Sequence, residues 1–158
     1  MKTLILYASK YGAAQEIAKR IGEKLEGAAV CDLKQKQIPA LPDFDCVIIG
    51  SSLYAGMIRK EAKAFLSENA AALRGKTIGL FLSGMDAGGD KEKTYFEANF
   101  PPELLQSAKA KTLPGGIYDP KKANFAERAI FKLAAKQTAY SDSIDDGKIE
   151  RFAEEMKR

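Results

Sequence analysis

Short continuous apolar runs alternate along this chain with segments whose apolar positions recur at helical spacing. Thr3–Ala8 (TLILYA) has no polar alternation, the pattern of a strand buried on both faces. Ile17, Ala18, Ile21 and Leu25 follow at i, i+1, i+4 and i+8 and predict a helix ending near Gly27. Residues 28–33 predict a second short strand, and a linker with Pro39 and Pro42 leads to residues 46–50 (CVIIG), the clearest strand of the chain. Ala62, Phe65, Leu66 and Leu73 mark a helix stopped by Gly75, and residues 77–82 form a fourth strand. After a loop with Gly84, Gly88 and Gly89, a helix is predicted over residues 92–107, interrupted at Pro101 and Pro102. Residues 109–113 give a weaker fifth strand, and residues 120–137 a helix. A last helix places Ile149, Phe152, Ala153 and Met156 at i, i+3, i+4 and i+7.

Strands alternating with helices, and strands apolar throughout, argue for an α/β domain around a mostly parallel sheet. There is no repeat, low-complexity tract or interdomain linker, so residues 1–158 are expected to form one domain. In such sheets ligands bind beyond the carboxyl ends of the strands, where the strand order reverses. Three turns stand at those ends: Ser9-Lys10-Tyr11-Gly12-Ala13-Ala14, Ser51-Ser52-Leu53-Tyr54-Ala55-Gly56 and Ser83-Gly84-Met85-Asp86-Ala87-Gly88-Gly89. All are small, hydroxylated and glycine-containing, which suits close approach of backbone to a ligand.

Composition narrows the chemistry. With 158 residues, 46% of them hydrophobic, the chain can build one sizeable core, but it has no His and no Trp. The missing histidine excludes Ser-His-Asp and Cys-His nucleophile pairs, His-ligated zinc and an imidazole base. The two cysteines, Cys31 and Cys46, form no C-x-x-C motif, so redox chemistry would have to come from a bound cofactor. The apolar start, residues 4–8, is cut short by Ser9, Lys10 and Gly12 before a signal-peptide core could form. No run approaches the ~18 apolar residues that span a bilayer. The expectation is a soluble cytoplasmic protein.

The first turn passes from a buried strand directly into a helix, whose first N–H groups and dipole make an anion site. Ser9 can add a hydroxyl, and Gly12 lets the backbone close around a phosphate. A plain strand-to-helix turn with Ser9 as N-cap stays open beside that reading. A dinucleotide fingerprint would need G-x-G-x-x-G here, and only Gly12 is present. A receiver-type phospho-acceptor would place acids at the strand ends, where Ser9 and Ser52 stand instead. Gly75-Lys76-Thr77 mimics the tail of a P-loop, yet the earlier glycine is replaced by Ala70, and the segment enters a strand, not a helix.

At these residues the chain resembles the flavodoxin-like FMN proteins. Residues 1–18 (MKTLILYASKYGAAQEIA) look like their first strand and phosphate loop, and residues 44–56 (FDCVIIGSSLYAG) like their third strand and a flavin-flanking loop. The branch most resembled includes the menaquinone-dependent protoporphyrinogen dehydrogenases, which also carry a basic helical segment before the last helix, similar to residues 125–133 and 149–156. The resemblance implies a three-layer sandwich with a five-stranded parallel sheet of order 2-1-3-4-5 and helices on both faces. It implies FMN as cofactor, with Ser9, Lys10, Tyr11, Gly12, Ala13 and Ala14 around the phosphate. Ser52, Leu53, Tyr54, Ala55 and Gly56 would flank the ring on one side, and Ser83, Gly84, Met85, Asp86 and Gly88 on the other. No catalytic side chain and no metal ligand is implied.

Two departures stand out. Tyr11 and Ala14 occupy positions where the family carries hydroxyl residues, each loss costing about 1 kcal/mol, roughly fivefold in affinity. With no Trp, Tyr54 is the aromatic candidate to stack on the ring, the alternative being that it packs on the helix beginning near Lys60; Met85 or Tyr95 could cover the other face. In the implied order Cys31 and Cys46 lie two strand spacings apart, ~9.5 Å, too far for a disulfide.

Charge adds one feature. The chain carries a formal +4, while the span from Lys109 to Lys136 holds seven cations against Asp119 and Glu127, more than the whole excess. On a helical wheel Phe125, Ala126, Ala129, Ile130, Leu133 and Ala134 form an apolar arc, edged by Arg128, Lys132 and Lys136 at i, i+4 and i+8. The plain reading is a helix packed on the sheet with a solvated edge. The functional one is a cationic surface that docks on an acidic partner or on anionic lipid at the inner membrane face, where each cation contributes about 1 kcal/mol. Nucleic acid is disfavoured, because aromatic and basic residues are not interleaved. Three functions are therefore in play: an electron carrier serving a redox partner protein, an FMN-dependent protoporphyrinogen dehydrogenase-type enzyme reducing a quinone, and a non-redox interaction module with a degenerate site.

Overall fold

In the computed structural model, which describes residues 1–85, 90–134 and 139–158, the centre of the main sheet is β3 (Cys46–Tyr54). It lies between β1 (Thr3–Ala8) and β5 (Thr77–Ser83), with β2 (Ala29–Asp32) and β6 (Ala108–Thr112) outermost. These four pairings are parallel. The two-residue β4 (Met57–Ile58) pairs antiparallel with the end of β3. The order β2-β1-β3-β5-β6 is thus the implied 2-1-3-4-5 arrangement with one hairpin strand inserted in the count.

Alternation along the strands divides the core. Leu4, Leu6, Val47, Ile49, Leu80 and Leu82 face one layer, where Phe65 and Leu66 of α2 (Lys60–Glu68), Leu73 of α3 (Ala70–Leu73) and Phe96 of α4 (Asp90–Asn99) cover them. Ile5, Tyr7, Ile48 and Phe81 face the other, under Ile17 and Ile21 of α1 (Ala13–Lys24) and Ile149, Phe152 and Met156 of α7 (Asp146–Lys157). α1 and α7 pack against each other over that second face.

The helix expected over residues 92–107 is two: α4 ends at Asn99 and α5 (Pro102–Ser107) starts on Pro102. Pro101 and Pro102 supply no N–H to continue α4, and Pro102 suits a first helical turn. Phe96 and Phe100 stack at 5.8 Å beside the break.

A larger correction concerns α6 (Phe125–Ala134), expected from residue 120. It starts later because Asn124 caps it, its Oδ1 accepting from the Glu127 N–H at 2.8 Å. Its predicted packing on the sheet is not found among the described side chains: Phe125 and Leu133 are 82% and 84% exposed, whereas Glu127 is 5% exposed. In the chain the helix lies on an excursion between the two strands of a small antiparallel ribbon, β7 (Ile117–Tyr118) and β8 (Ser141–Asp142). Lys136 and the tail of the predicted helix, like Asp86 and Gly88, lie outside the described residues. Among the described residues no helix is long and apolar enough to cross a membrane.

Candidate functional site

The carboxyl ends of β1, β3 and β5 bring the three turns together, and strand-end hydroxyls hold the first two by hydrogen bonds. In the β1 turn, Ser9 Oγ accepts from the Gly12 N–H at 2.9 Å. Ser52 Oγ, from the end of β3, accepts from the Lys10 N–H at 3.2 Å and so clips one turn to the next. The alternative of Ser9 as N-cap is not what the structure has: Gly12 is the N-cap of α1, its carbonyl accepting from the Glu16 N–H at 3.0 Å, with no side-chain cap bond. Its φ of +98° is open to glycine and costly for other residues. The first-turn N–H groups of Ala13, Ala14 and Gln15, which no helix can pair internally, follow this loop directly at the positive end of the helix dipole. Ala14 itself is wholly buried in the core, so a methyl inside the fold stands at one of the two missing hydroxyl positions. At the other, Tyr11 buries its Oη without a hydrogen-bond partner among the described residues.

The β3 turn is braced on both sides. Ser51 Oγ donates to the Ser52 carbonyl and accepts from the Arg59 N–H, both at 2.9 Å, joining the strand end to the start of α2. Ala55 and Gly56 turn the hairpin at φ +52° and +77°. Asn99 holds that turn from α4: its side chain accepts from the Ile58 N–H and donates to the carbonyls of Gly56 and Tyr95. In the third turn the Gly84 N–H donates to the Gly115 carbonyl at 2.9 Å. Gly116 approaches so closely that a Cβ there would lie 2.9 Å from the Gly84 carbonyl carbon.

Between these turns lies a cavity of about 50 Å³. Of the residues predicted for the site, Lys10, Tyr11, Ala13, Ser52, Leu53, Tyr54, Ser83, Gly84 and Met85 line it. Ser9, Gly12 and Ala14 shape the loop behind it. Ala55 and Gly56 lie aside in the hairpin, where Tyr95 packs against Gly56 and is not part of the lining. The Tyr54 ring belongs to the lining, with the Lys10 ammonium 4.2 Å from its centroid and the Arg59 guanidinium at 6.0 Å. A larger groove of about 330 Å³ lies at the opposite, amino end of β5, between Leu66 and Leu73 on one side and Pro101 and Leu104 on the other. It contains none of the strand-end turns and offers mostly apolar wall.

Four residues of the site were missed in the sequence reading. Gly116 and Ile117 complete the lining. They follow the fifth strand, so the strand-end rule applied there would have found them. Glu127 reaches in from α6 to pair with Lys10, Oε2 to Nζ at 3.0 Å. Lys122 donates from Nζ to the Tyr11 carbonyl at 3.4 Å. Glu127 had one visible signal, as an acid within an otherwise cationic helix; Lys122 had none. Among the described residues no cluster of three or more metal-binding side chains occurs.

Comparison with known proteins adds the following. The family model described as Flavodoxin domain matches residues 4–145. A flavodoxin of Streptococcus pneumoniae TIGR4 superposes with a TM-score of 0.64 at 18% identity, covering 99% of this chain and 98% of that one. The two-electron reduced flavodoxin of Megasphaera elsdenii gives 0.57 at 15% identity, covering 70% and 84%. A Lactobacillus acidophilus NCFM flavoprotein solved in complex with FMN gives 0.51 at 16%, covering 72% and 90%. At such identities the structural matches speak for the fold. Comparison with curated proteins by sequence finds no match.

Proposed function

The chain belongs to the Flavodoxin domain family, and on that premise we propose that it holds FMN non-covalently and serves as a redox protein. The observation that carries this is the β1 loop, a glycine at φ +98° opening onto the unpaired N–H groups of a helix start, set beside an aromatic-lined cavity. Bound FMN would supply the electron chemistry, as flavins do. The residues here would bind and orient it. The loop from Ser9 to Ala14 would hold the phosphate, and Tyr54 would offer a face to the ring. Stacking on the Tyr54 face that carries the Lys10 ammonium requires that ammonium to move aside. Lys10 is a long, partly exposed side chain able to do so.

The test is a visible absorbance and fluorescence titration of the folded protein with FMN. Saturable binding at one per chain with perturbed flavin bands is expected. No binding at tens of micromolar FMN (roughly −6 kcal/mol) would overturn the redox reading and leave the interaction module.

For the electron acceptor, the primary reading is a carrier serving a protein partner. A second reading, quinone-linked oxidation of protoporphyrinogen, is favoured by one observation. On α6 the exposed Phe125 and Leu133 stand beside exposed Arg128 and Lys132, a surface of the kind that docks on anionic lipid. Co-sedimentation with vesicles rich in phosphatidylglycerol, but not with phosphatidylcholine vesicles, is its expected result. Oxidation of protoporphyrinogen by the FMN-loaded protein with a menaquinone analogue and no NADH decides between the two. Failure there leaves the carrier.

A further inference from the structure

We infer that Lys122, on the excursion between β7 and β8, is a ligand of the cofactor's phosphate and makes this site select the phosphorylated flavin. The inference rests on the FMN reading and adds a residue that lies outside the β1 loop and more than a hundred positions along the chain.

Two ammonium groups stand at the mouth of that loop. Lys10 is held by Glu127 at 3.0 Å, so this cation and that buried carboxylate offset each other. Among the described residues the Lys122 ammonium makes one long bond, 3.4 Å to the Tyr11 carbonyl, and its Nζ lies 3.6 Å from where a Cβ on Gly12 would be. The ammonium therefore stands over the glycine whose missing side chain opens the loop. Its lysine stem is exposed and free to adjust. Among the described residues the Lys122 ammonium has no carboxylate partner.

A phosphate monoester arriving there carries close to two negative charges. With a buried methyl at Ala14 and a phenol at Tyr11 in place of small hydroxyls, the loop offers backbone N–H groups and the Ser9 hydroxyl, which is already engaged by Gly12. A charge-assisted bond from an ammonium is stronger than a neutral one. Lys122 would restore what the two substitutions remove.

The experiment compares FMN with riboflavin, which lacks the phosphate, by quenching of flavin fluorescence in wild type, Lys122→Met and Lys121→Met. Lys121 is exposed and adjacent, so its variant removes the same charge without the positioned contact. Lys122→Met should weaken FMN at least tenfold, leave riboflavin unchanged, and flatten the fall of FMN affinity between ~0.05 and ~0.5 M salt. Lys121→Met should leave the FMN-to-riboflavin ratio near wild type. An unchanged ratio in Lys122→Met, in protein that binds FMN, would overturn the inference and leave the FMN reading standing. An equal loss in both variants would overturn it too, since a general field would then suffice. If wild type binds neither flavin, the FMN reading itself falls.

Discussion

Gly50 and Phe81 are register partners on β3 and β5, and the Phe81 ring fills the space that a side chain at residue 50 would take. A Cβ on Gly50 would lie 2.0 Å from the Phe81 ring, far inside any real contact. Both positions are fully interior, and Phe81 belongs to the layer that packs under α1 and α7. Gly50→Ala must therefore displace the ring or the strand. It is expected to cost about 3 kcal/mol, the upper part of the overpacking range, lowering the melting temperature by about 6–12 °C for a chain of this size. Gly50→Ala combined with Phe81→Leu should melt above Gly50→Ala alone, because the smaller side chain vacates the overlap. Thermal unfolding of the three variants checks both statements.

How far the sequence carries such detail differs between elements. Strands β1, β3 and β5 were legible because burial on both faces requires unbroken apolar runs, and α1 and α7 because one buried face imposes helical spacing. The glycine at residue 50 gave no hint of its partner, since strand register is set by tertiary packing. Strands β4, β7 and β8 have two residues each and carry no period. The place of α6 was not legible: Phe125 and Leu133 of its expected apolar arc are exposed, and a wheel carries no information on what a face packs against. The site was legible at the strand ends for the topological reason that places ligands there. Lys122 and Glu127 arrive through an excursion whose path no local pattern encodes.

Cys31 and Cys46 lie on β2 and β3 with β1 between them, and both are buried and unpaired. Burial pushes both thiols above their ordinary range, and the charge of Asp32 adds to the effect at Cys31. A raised thiol carries less thiolate at neutral pH, and thiolate is the reactive species. Native protein is expected to take up no iodoacetamide on a timescale over which the urea-unfolded chain takes up two equivalents, one per cysteine. Intact-mass measurement reads this directly, and rapid native labelling would show that one thiol is accessible and ionised.

Gly12→Val tests the phosphate loop itself. A β-branched residue resists φ +98° and would point its Cβ toward the Lys122 ammonium, 3.6 Å away. FMN affinity is expected to fall well over tenfold, because the loop must either distort or close. Riboflavin affinity should fall much less, as the ring contacts lie elsewhere. If circular dichroism shows an intact fold and FMN still binds as in wild type, the phosphate is held somewhere other than this loop.

Tyr54 tests the ring site, and its test reads potential as well as affinity. Its ring lines the cavity, with the Lys10 ammonium over it and Arg59 nearby. An electron-rich aromatic face against a flavin disfavours extra negative charge on the flavin, and so lowers its tendency to accept electrons. Tyr54→Leu keeps an apolar wall of similar reach but removes the π face. It should weaken FMN binding, make the bound flavin fluoresce more strongly, and raise its reduction potential relative to wild type. Equilibration against reference dyes measures the last of these. The sign is decisive because Lys10 works in the other direction: its cation, if it stayed near the ring, would raise the potential with Tyr54 present or absent. A potential unchanged or lowered in Tyr54→Leu, with FMN bound one to one, would place the aromatic contact elsewhere and assign Tyr54 to holding the Lys10 side chain.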